Sequence, residues 1–480
     1  MTATCQSSTA MPSDSHTDAH DSYELQECHP ETHESRERDR DSPTPRQDAS
    51  AGGRPLPAID RSWAAWSFLA GCTLLEALVF GFGTAYGAFQ DYHIKTIDSP
   101  LHNSSTAVIA TPGTLFTFGN FFAPFLFQGV LRIFPNRVIL IASAALVAAA
   151  ASLIIASVSS SPAVIVVFQG LFLGWLAGVA WTPSLLWLPQ WFDRHRGLAT
   201  GVMFLGSGIG GAGWAFALSA LLSSVGFAWT LRAVALIFLV IGGIGLAMTK
   251  PRLPAQGLPR LGLLPTLAAM HDRAAHSALG IVNGLILLIQ GAAFWSVLYY
   301  LPTYATSLGF SSTASTGLLA LANAFTGFSF VIFGRLGDRF QAFFLALGSG
   351  IGGALLAGAF LGFVNSAAPL MVFSVLFGLA SGGVSALISP MSKQIGKKVP
   401  ANPAAVALEY LAWRGVGSIA GPLISSALYQ KAITSTMWGA GATFGPHGMG
   451  PVILLSTVCS GVVALLATSA LAYQYFERAG

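Results

Sequence analysis

The amino-acid sequence predicts an all-α membrane protein whose twelve transmembrane helices form two six-helix halves. Three observations carry that prediction. Of 480 residues, 53% are hydrophobic and 9% charged, with a mean hydropathy of +0.63. A soluble globular chain carries about 25% charged residues, so a soluble enzyme is excluded. A helix needs about 20 apolar residues to cross the hydrocarbon core. Windows of that size lie at 64–86, 106–128, 137–157, 162–186, 197–222 and 229–248, then at 278–300, 313–333, 342–364, 368–389, 404–428 and 450–473. The largest gap between windows, 249–277, separates the sixth from the seventh. It carries Lys250, Arg252, Arg260 and Arg273, and Pro251, Pro254 and Pro259 keep part of it from being helical.

The layout that follows is a tail over 1–62, a first six-helix half over 63–248, a linker over 249–277 and a second half over 278–480. The tail is polar and cannot bury enough apolar surface to offset its ordering entropy, which predicts disorder. No basic start leads into a short apolar run, so no signal peptide is expected. Ser42-Pro43 and Thr44-Pro45 are candidate phosphorylation sites, against the plainer reading of a solvated tail. Residues 1–62 hold six Arg against twelve Asp and Glu, whereas the remainder holds eighteen Lys and Arg against eight acids. That positive excess is a signal for orientation and anionic lipid, not a nucleic-acid patch. Cys5, Cys28, Cys72 and Cys459 have no metal-binding spacing, so neither a metal nor a disulfide framework is expected.

Charge fixes the expected topology. With the N-terminus inside, the inner loops and C-terminus receive Arg132, Arg137, Arg194, Arg196, the four linker cations, Arg335, Arg339, Lys393, Lys397, Lys398 and Arg478. The outer loops receive Lys95 and Lys431, and Arg232 lies near enough to the outer surface to snorkel. This asymmetry places both termini in the cytoplasm. Asn103-Ser104-Ser105 is a glycosylation sequon in the first outer loop, which agrees with that orientation. The absence of an Arg-rich, acid-poor presequence favours the plasma membrane over an organelle.

Several stretches carry a family resemblance. Gly334-Arg335-Leu336-Gly337-Asp338-Arg339 resembles the G-x-L-x-D-R loop of the major facilitator superfamily, whose acid and arginine latch helices on the cytoplasmic side. The corresponding stretch of the first half, around Gly129-Val130-Leu131 and Arg137, lacks the acid. Within that superfamily, three stretches resemble the monocarboxylate porter family, particularly its fungal members. These are Asp60-Arg61-Ser62-Trp63-Ala64-Ala65-Trp66, the run from Phe80 to Tyr92, and Trp191-Phe192-Asp193-Arg194-His195-Arg196-Gly197 with the glycine-dense run Gly206–Gly211 behind it. The resemblance covers roughly 60–475 and implies alternating access, with a substrate site near the midplane between the halves. It also implies that Asp193, Arg194, Arg196, Asp338 and Arg339 latch the cytoplasmic face. Animal members bear a lysine in span one and an aspartate and arginine one turn apart in span eight. Thr84, Thr326 and Phe330 align with those positions here, so the family's charged pair is missing.

The chain has other charges within its spans. A charge at the bilayer centre costs about 2.5–3.5 kcal/mol on insertion scales, and Glu76, Glu409 and Arg414 incur that cost. Arg414 can grip a carboxylate through two parallel hydrogen bonds; the alternative is that it neutralises Glu76 or Glu409. Glu409 stands five positions away, about 140° around a straight helix. Glu76 and Glu409 are candidate proton carriers, because an anion that occupies the arginine favours protonation of a nearby acid. Gln290, Trp295 and Gln169 are candidate substrate contacts, with helix-to-helix bonding as the alternative for the amides. Asn283 and Asn323 are weaker candidates. Gly206 with Gly210, and Gly348 with Gly352, have the spacing of packing devices.

The resulting expectation is a monomeric secondary transporter of a small organic acid anion, with protons as the coupling ion and no cofactor. Some smut-type fungi export itaconate with a similar protein, so itaconate is the specific substrate expected. A proton-coupled monocarboxylate importer and a carrier of riboflavin or secondary metabolites are the alternatives. A non-transporting nutrient sensor is a remote one, since the tail is short and featureless. No G-x-x-x-x-G-K-[ST] loop supports a primary pump. An intramembrane enzyme lacks a Ser-His or His/Asp constellation.

Overall fold

The computed structural model describes residues 56–254, 277–364, 366–396, 403–433 and 444–479. Most of the expected tail, with Ser42 and Thr44, lies outside the described residues. So do linker residues 255–276, with Arg260 and Arg273, and so do Lys397 and Lys398. In chain order the helices are α1 (Trp63–Thr84), α2 (Gly87–Lys95), α3 (Thr106–Ile133), α4 (Val138–Ser157), α5 (Pro162–Trp191), α6 (Arg196–Met248), α7 (Ala278–Ser307), α8 (Ser312–Gly337), α9 (Ala342–Phe363), α10 (Ala367–Ile395), α11 (Pro403–Ile433) and α12 (Gly450–Ala479). Among the described residues no strand occurs.

Local chemistry sets the ends of these helices. Ser62, Ser105, Ser277 and Ser311 each precede a helix and accept the N–H three residues on, at 3.2, 3.4, 3.1 and 3.2 Å. A serine there meets one of the four backbone donors that a helix start leaves open. Gly309, at φ +87°, closes α7 in the left-handed conformation that glycine adopts without strain. The turn between α1 and α2 is pinned by Tyr86, whose hydroxyl donates to the Ile109 carbonyl at 2.7 Å. π-helical turns interrupt α5 at Val166–Phe172 and α9 at Leu355–Phe360.

Among the described residues ten helices are long and apolar enough to span a membrane by length and composition. One of them, α6, runs 53 residues and breaks at Gly226, where φ is +75° and ψ 178°. Its two limbs pass α1 in opposite directions. Gly206 and Gly210 lie against Thr73 and Ala77, whereas Gly242 and Gly245 lie against Leu78 and Leu75 in descending order. With α6 crossing twice and α11 included despite Glu409 and Arg414, the architecture is consistent with the twelve predicted spans.

Glycine governs how closely the helices approach. A methyl at Gly208 would collide with the Gly327 backbone, and methyls at Gly197 and Gly334 with each other's carbonyls. The first limb of α6 therefore packs on α8 backbone to backbone. Gly206 and Gly210 do the same against α1, as the sequence predicts. The second predicted pair is corrected: Gly348 faces open space and Gly352 touches only Ala380. The tight seam of α9 is made instead by Gly350 and Gly353, which sit 2.6 Å from the Ala464 nitrogen and 2.9 Å from Ser460 Oγ of α12 in Cβ terms. Three-residue spacing, not four, marks the face of α9 turned to its neighbour.

Candidate functional site

A small central cavity gathers side chains from α1, α3, α6, α7, α8, α10 and α11. Its polar lining includes Glu76, Thr84, Ser207, Asn323, Ser385 and Arg414. Its walls are rings. Phe80 meets Phe121 at 4.9 Å and Trp181 at 5.1 Å between centroids, and Phe121 reaches Trp295 at 6.3 Å. Phe204 meets Phe330 at 5.5 Å, and Phe294 meets Trp295 at 5.8 Å. The volume is about 30 Å³, room for a water or two, against 300–1,000 Å³ for sites that hold drug-sized ligands.

Arg414 is 2% exposed. Its Nη1 donates to Gln290 Oε1, and its guanidinium carbon lies 5.9 Å from the Phe294 ring centroid. Gln290 donates in turn to the Ser381 carbonyl at 2.5 Å, which a 3₁₀ stretch, Gly382–Leu387, leaves outside the α-helical ladder. The amide thus orients the guanidinium against a helix break. Arg414 Nε has no hydrogen-bond partner, and among the described residues no ion pair joins Arg414 to Glu76 or Glu409. Neutralisation by those acids is therefore not what holds this arginine. Glu76 is 1% exposed and its Oε2 is unpartnered.

The structure unites some of the sequence candidates and separates others. Glu76, Arg414 and Trp295 share the cavity, and Gln290 stands behind Arg414. Gln169 and Glu409 are buried but do not line it. Gln169 sits in the π-helical turns of α5, beside Gly170, which packs on Pro112. Asn283 bonds the Tyr410 hydroxyl at 3.3 Å, a helix-to-helix contact. Thr84, Thr326 and Phe330 all line the cavity. Phe80, Phe121, Phe204, Ser207 and Ser385 escaped the sequence reading. Aromatic residues in spans that are apolar all round give no sign of which face turns inward.

Both ends of the cavity are closed. At the basic end, Asp338 accepts the Gly197 and Leu198 N–H groups at 2.7 and 2.9 Å. Lys393 reaches the Asp193 carbonyl at 2.7 Å and its carboxylate at 3.0 Å, and Arg196 Nε donates to Ser389 Oγ at 3.0 Å. The Asp60 carboxylate accepts the N–H groups of Asp193, Arg194 and His195, which shapes the loop that makes these contacts. Arg194 and Arg339 are exposed. The contact at Asp338 therefore differs from an acid–arginine latch, since its partners are backbone donors at the start of α6. At the opposite end, Tyr299 shares a hydrogen bond with Thr117 at 2.9 Å and donates to the Gly113 carbonyl at 3.4 Å. Asn103 is exposed in the loop at that end. Arg232, stacked 4.7 Å over Trp229 and bonded to Ser157 at 3.2 Å, is a packing residue.

Comparison with known proteins agrees with this architecture. The chain is 30% identical over 357 residues to the MFS-type transporter pynF of Aspergillus niger, covering 73% of this chain and 77% of that one. It is 28% identical over 351 residues to the agnestins efflux protein AgnL12 of Paecilomyces divaricatus, covering 72% and 77%. Among solved structures, the human organic anion transporter MFSD10 superposes with a TM-score of 0.62 at 15% identity, covering 85% of this chain and 98% of that one. Residues 68–422 match the Major Facilitator Superfamily. The chain is a multi-pass transporter of that superfamily.

Proposed function

We propose that this transporter exports an amphipathic organic anion, a secondary metabolite with an acidic group on an apolar or aromatic body. One observation carries the reading: Arg414, with a donor to spare, shares an aromatic-walled cavity with Glu76. The guanidinium suits an acidic oxygen pair, and the rings suit an apolar body. The efflux role named for AgnL12 supports the outward direction. Itaconate, expected from the family resemblance, fits this lining less well. Among the described residues Arg414 is the only cation lining the cavity, and a second carboxylate would face rings. The finer assignment to the monocarboxylate porters rests on the three stretches that resemble them.

In this scheme the two ends open alternately. The latch residues Asp193, Arg196 and Asp338 close the basic end, which we place in the cytoplasm with both termini, at the plasma membrane. Asn103 then faces outward as a glycosylation site. Loss of a mobility shift in Asn103→Gln would support that orientation. Glu76 carries the coupling proton: an anion on Arg414 quenches the positive field that favours the charged acid, so anion and proton move together. The carrier works as a monomer with no cofactor.

The test begins with a deletion strain profiled for acidic metabolites retained in the cells. The retained compound is then offered to vesicles holding the purified protein, across a range of pH. Saturable flux that Glu76→Gln makes independent of pH supports the proposal. Flux of itaconate alone, or a pH profile untouched by Glu76→Gln, overturns the corresponding part.

A further inference from the structure

Apart from the central cavity, the described residues form an open cleft of about 660 Å³ at the basic end. We propose that it binds a phosphate-bearing anion, the headgroup of a phospholipid in the adjoining leaflet, and that this ligand holds the basic end closed.

Charge is the first argument. Arg194 and Arg196 reach the cleft from the start of α6, Arg339 from the turn after α8, and Lys393 from α10. Among the described residues Asp338 is the one carboxylate that lines the cleft, and its two oxygens already accept backbone N–H groups. Lys393 is engaged by Asp193. Among the described residues no ion pair reaches Arg194, Arg196 or Arg339. Among the described residues three guanidinium groups therefore share one cleft, none within ion-pair distance of a carboxylate, and guanidinium forks match phosphate oxygens bidentately.

A second observation is independent of charge. Gln474 of α12 lines the same cleft and is 5% exposed, yet neither its Oε1 nor its Nε2 has a hydrogen-bond partner. A buried amide with both ends unmet costs stability unless something meets them. A phosphate oxygen can accept from its nitrogen, and a glycerol or sugar hydroxyl can donate to its oxygen. The surroundings favour a lipid as the source. Phe340, 57% exposed, lines the cleft, and Tyr473, Tyr475 and Phe476, at 54%, 71% and 71%, flank Gln474 on α12. Exposed aromatic residues at a span end sit at headgroup level.

The placement gives the ligand a consequence. Arg194 and Arg196 precede the linker, whereas Arg339, Lys393 and Gln474 follow it. A ligand that touches both groups binds best when they are together, so it shifts the population toward the closed basic end.

Native mass spectrometry of the full chain, with phosphatidic acid, phosphatidylcholine and soluble glycerol 3-phosphate as probes, tests this. Phosphatidic acid is expected to bind selectively, and the Arg194→Gln/Arg339→Gln double variant to weaken it at least about tenfold. Arg137→Gln, at the same end but outside the cleft, should leave it unchanged. Should the double variant fold poorly, Arg339→Gln alone carries the comparison, at about half the loss on a logarithmic scale. Bound phosphatidic acid should also slow labelling of Ser385→Cys from the basic end. Glycerol 3-phosphate binding as tightly as the lipid would uphold the phosphate site and make its source soluble. Equal binding of phosphatidylcholine, or affinity unchanged in the arginine variants, would overturn the proposal.

Discussion

A guanidinium is kept inside a membrane protein only where its donors are met or held for a ligand. Arg414 has both conditions at once, with Nη1 on Gln290 and Nε unpartnered. Arg414→Gln is expected to abolish saturable efflux in reconstituted vesicles. Arg414→Lys keeps the charge but loses the planar fork, so at least a tenfold fall in kcat/KM is expected. Gln290→Ala frees the guanidinium from the Ser381 carbonyl. Hydrogen bonds to charged groups are worth about 1.5–3 kcal/mol, so a rise in KM of about ten- to a hundredfold is expected with the maximal rate little changed. An unaltered KM would show that Gln290 does not position the arginine. Sequence alone marks Arg414 and Glu76, because charges in apolar windows stand out. It gives no register for Gln169, Gln290 and Glu409, since an amide or acid in an all-round apolar helix points to every side with equal plausibility.

At the scale of elements, the close approaches depend on residues without a Cβ. Gly334 faces the Gly197 carbonyl too tightly for a methyl, so Gly334→Ala should pry α8 from α6 at the basic end. Labelling of Ser385→Cys from that end would then accelerate, and no change would refute the packing argument. Gly226 is a separate case. Its backbone at φ +75°, ψ 178° lies in a region almost reserved for glycine, and Gly226→Ala is expected to cost about 1–3 kcal/mol of stability, read as a lower melting temperature of the purified protein. The spans themselves are legible in the chain because twenty apolar residues have few other uses. The turn that joins the two limbs of α6 is legible too: the gap at 223–228 between the fifth and sixth windows, with Ser223, Ser224 and Gly226, contains the break. GxxxG spacing predicts the seam at Gly206 and Gly210 but misleads at Gly348 and Gly352. The pattern records which residues are small, not which way they face.

For the molecule as a whole, the balance between its two closed ends decides which side the cavity serves. Asp338→Ala removes two charge-assisted hydrogen bonds at one end, and Tyr299→Phe removes the bond to Thr117 at the other. The first should favour opening at the basic end by about tenfold or more, and the second should favour opening at the far end by a smaller factor. Labelling of cavity cysteines from each side of the membrane measures both. Shifts in the same direction would contradict opposed gates. The superfamily and the fold followed from spans and loop motifs, because bilayer physics restricts a chain of this composition to few architectures. The cavity walls did not follow, because they are assembled from helices distant in the chain. A void of about 30 Å³ between two shut ends also has an electrical meaning. A water or two hemmed in by phenylalanine and tryptophan rings cannot string together a proton wire, so the unloaded protein is an insulator. A cell can therefore keep many copies in its membrane without short-circuiting a proton gradient across it.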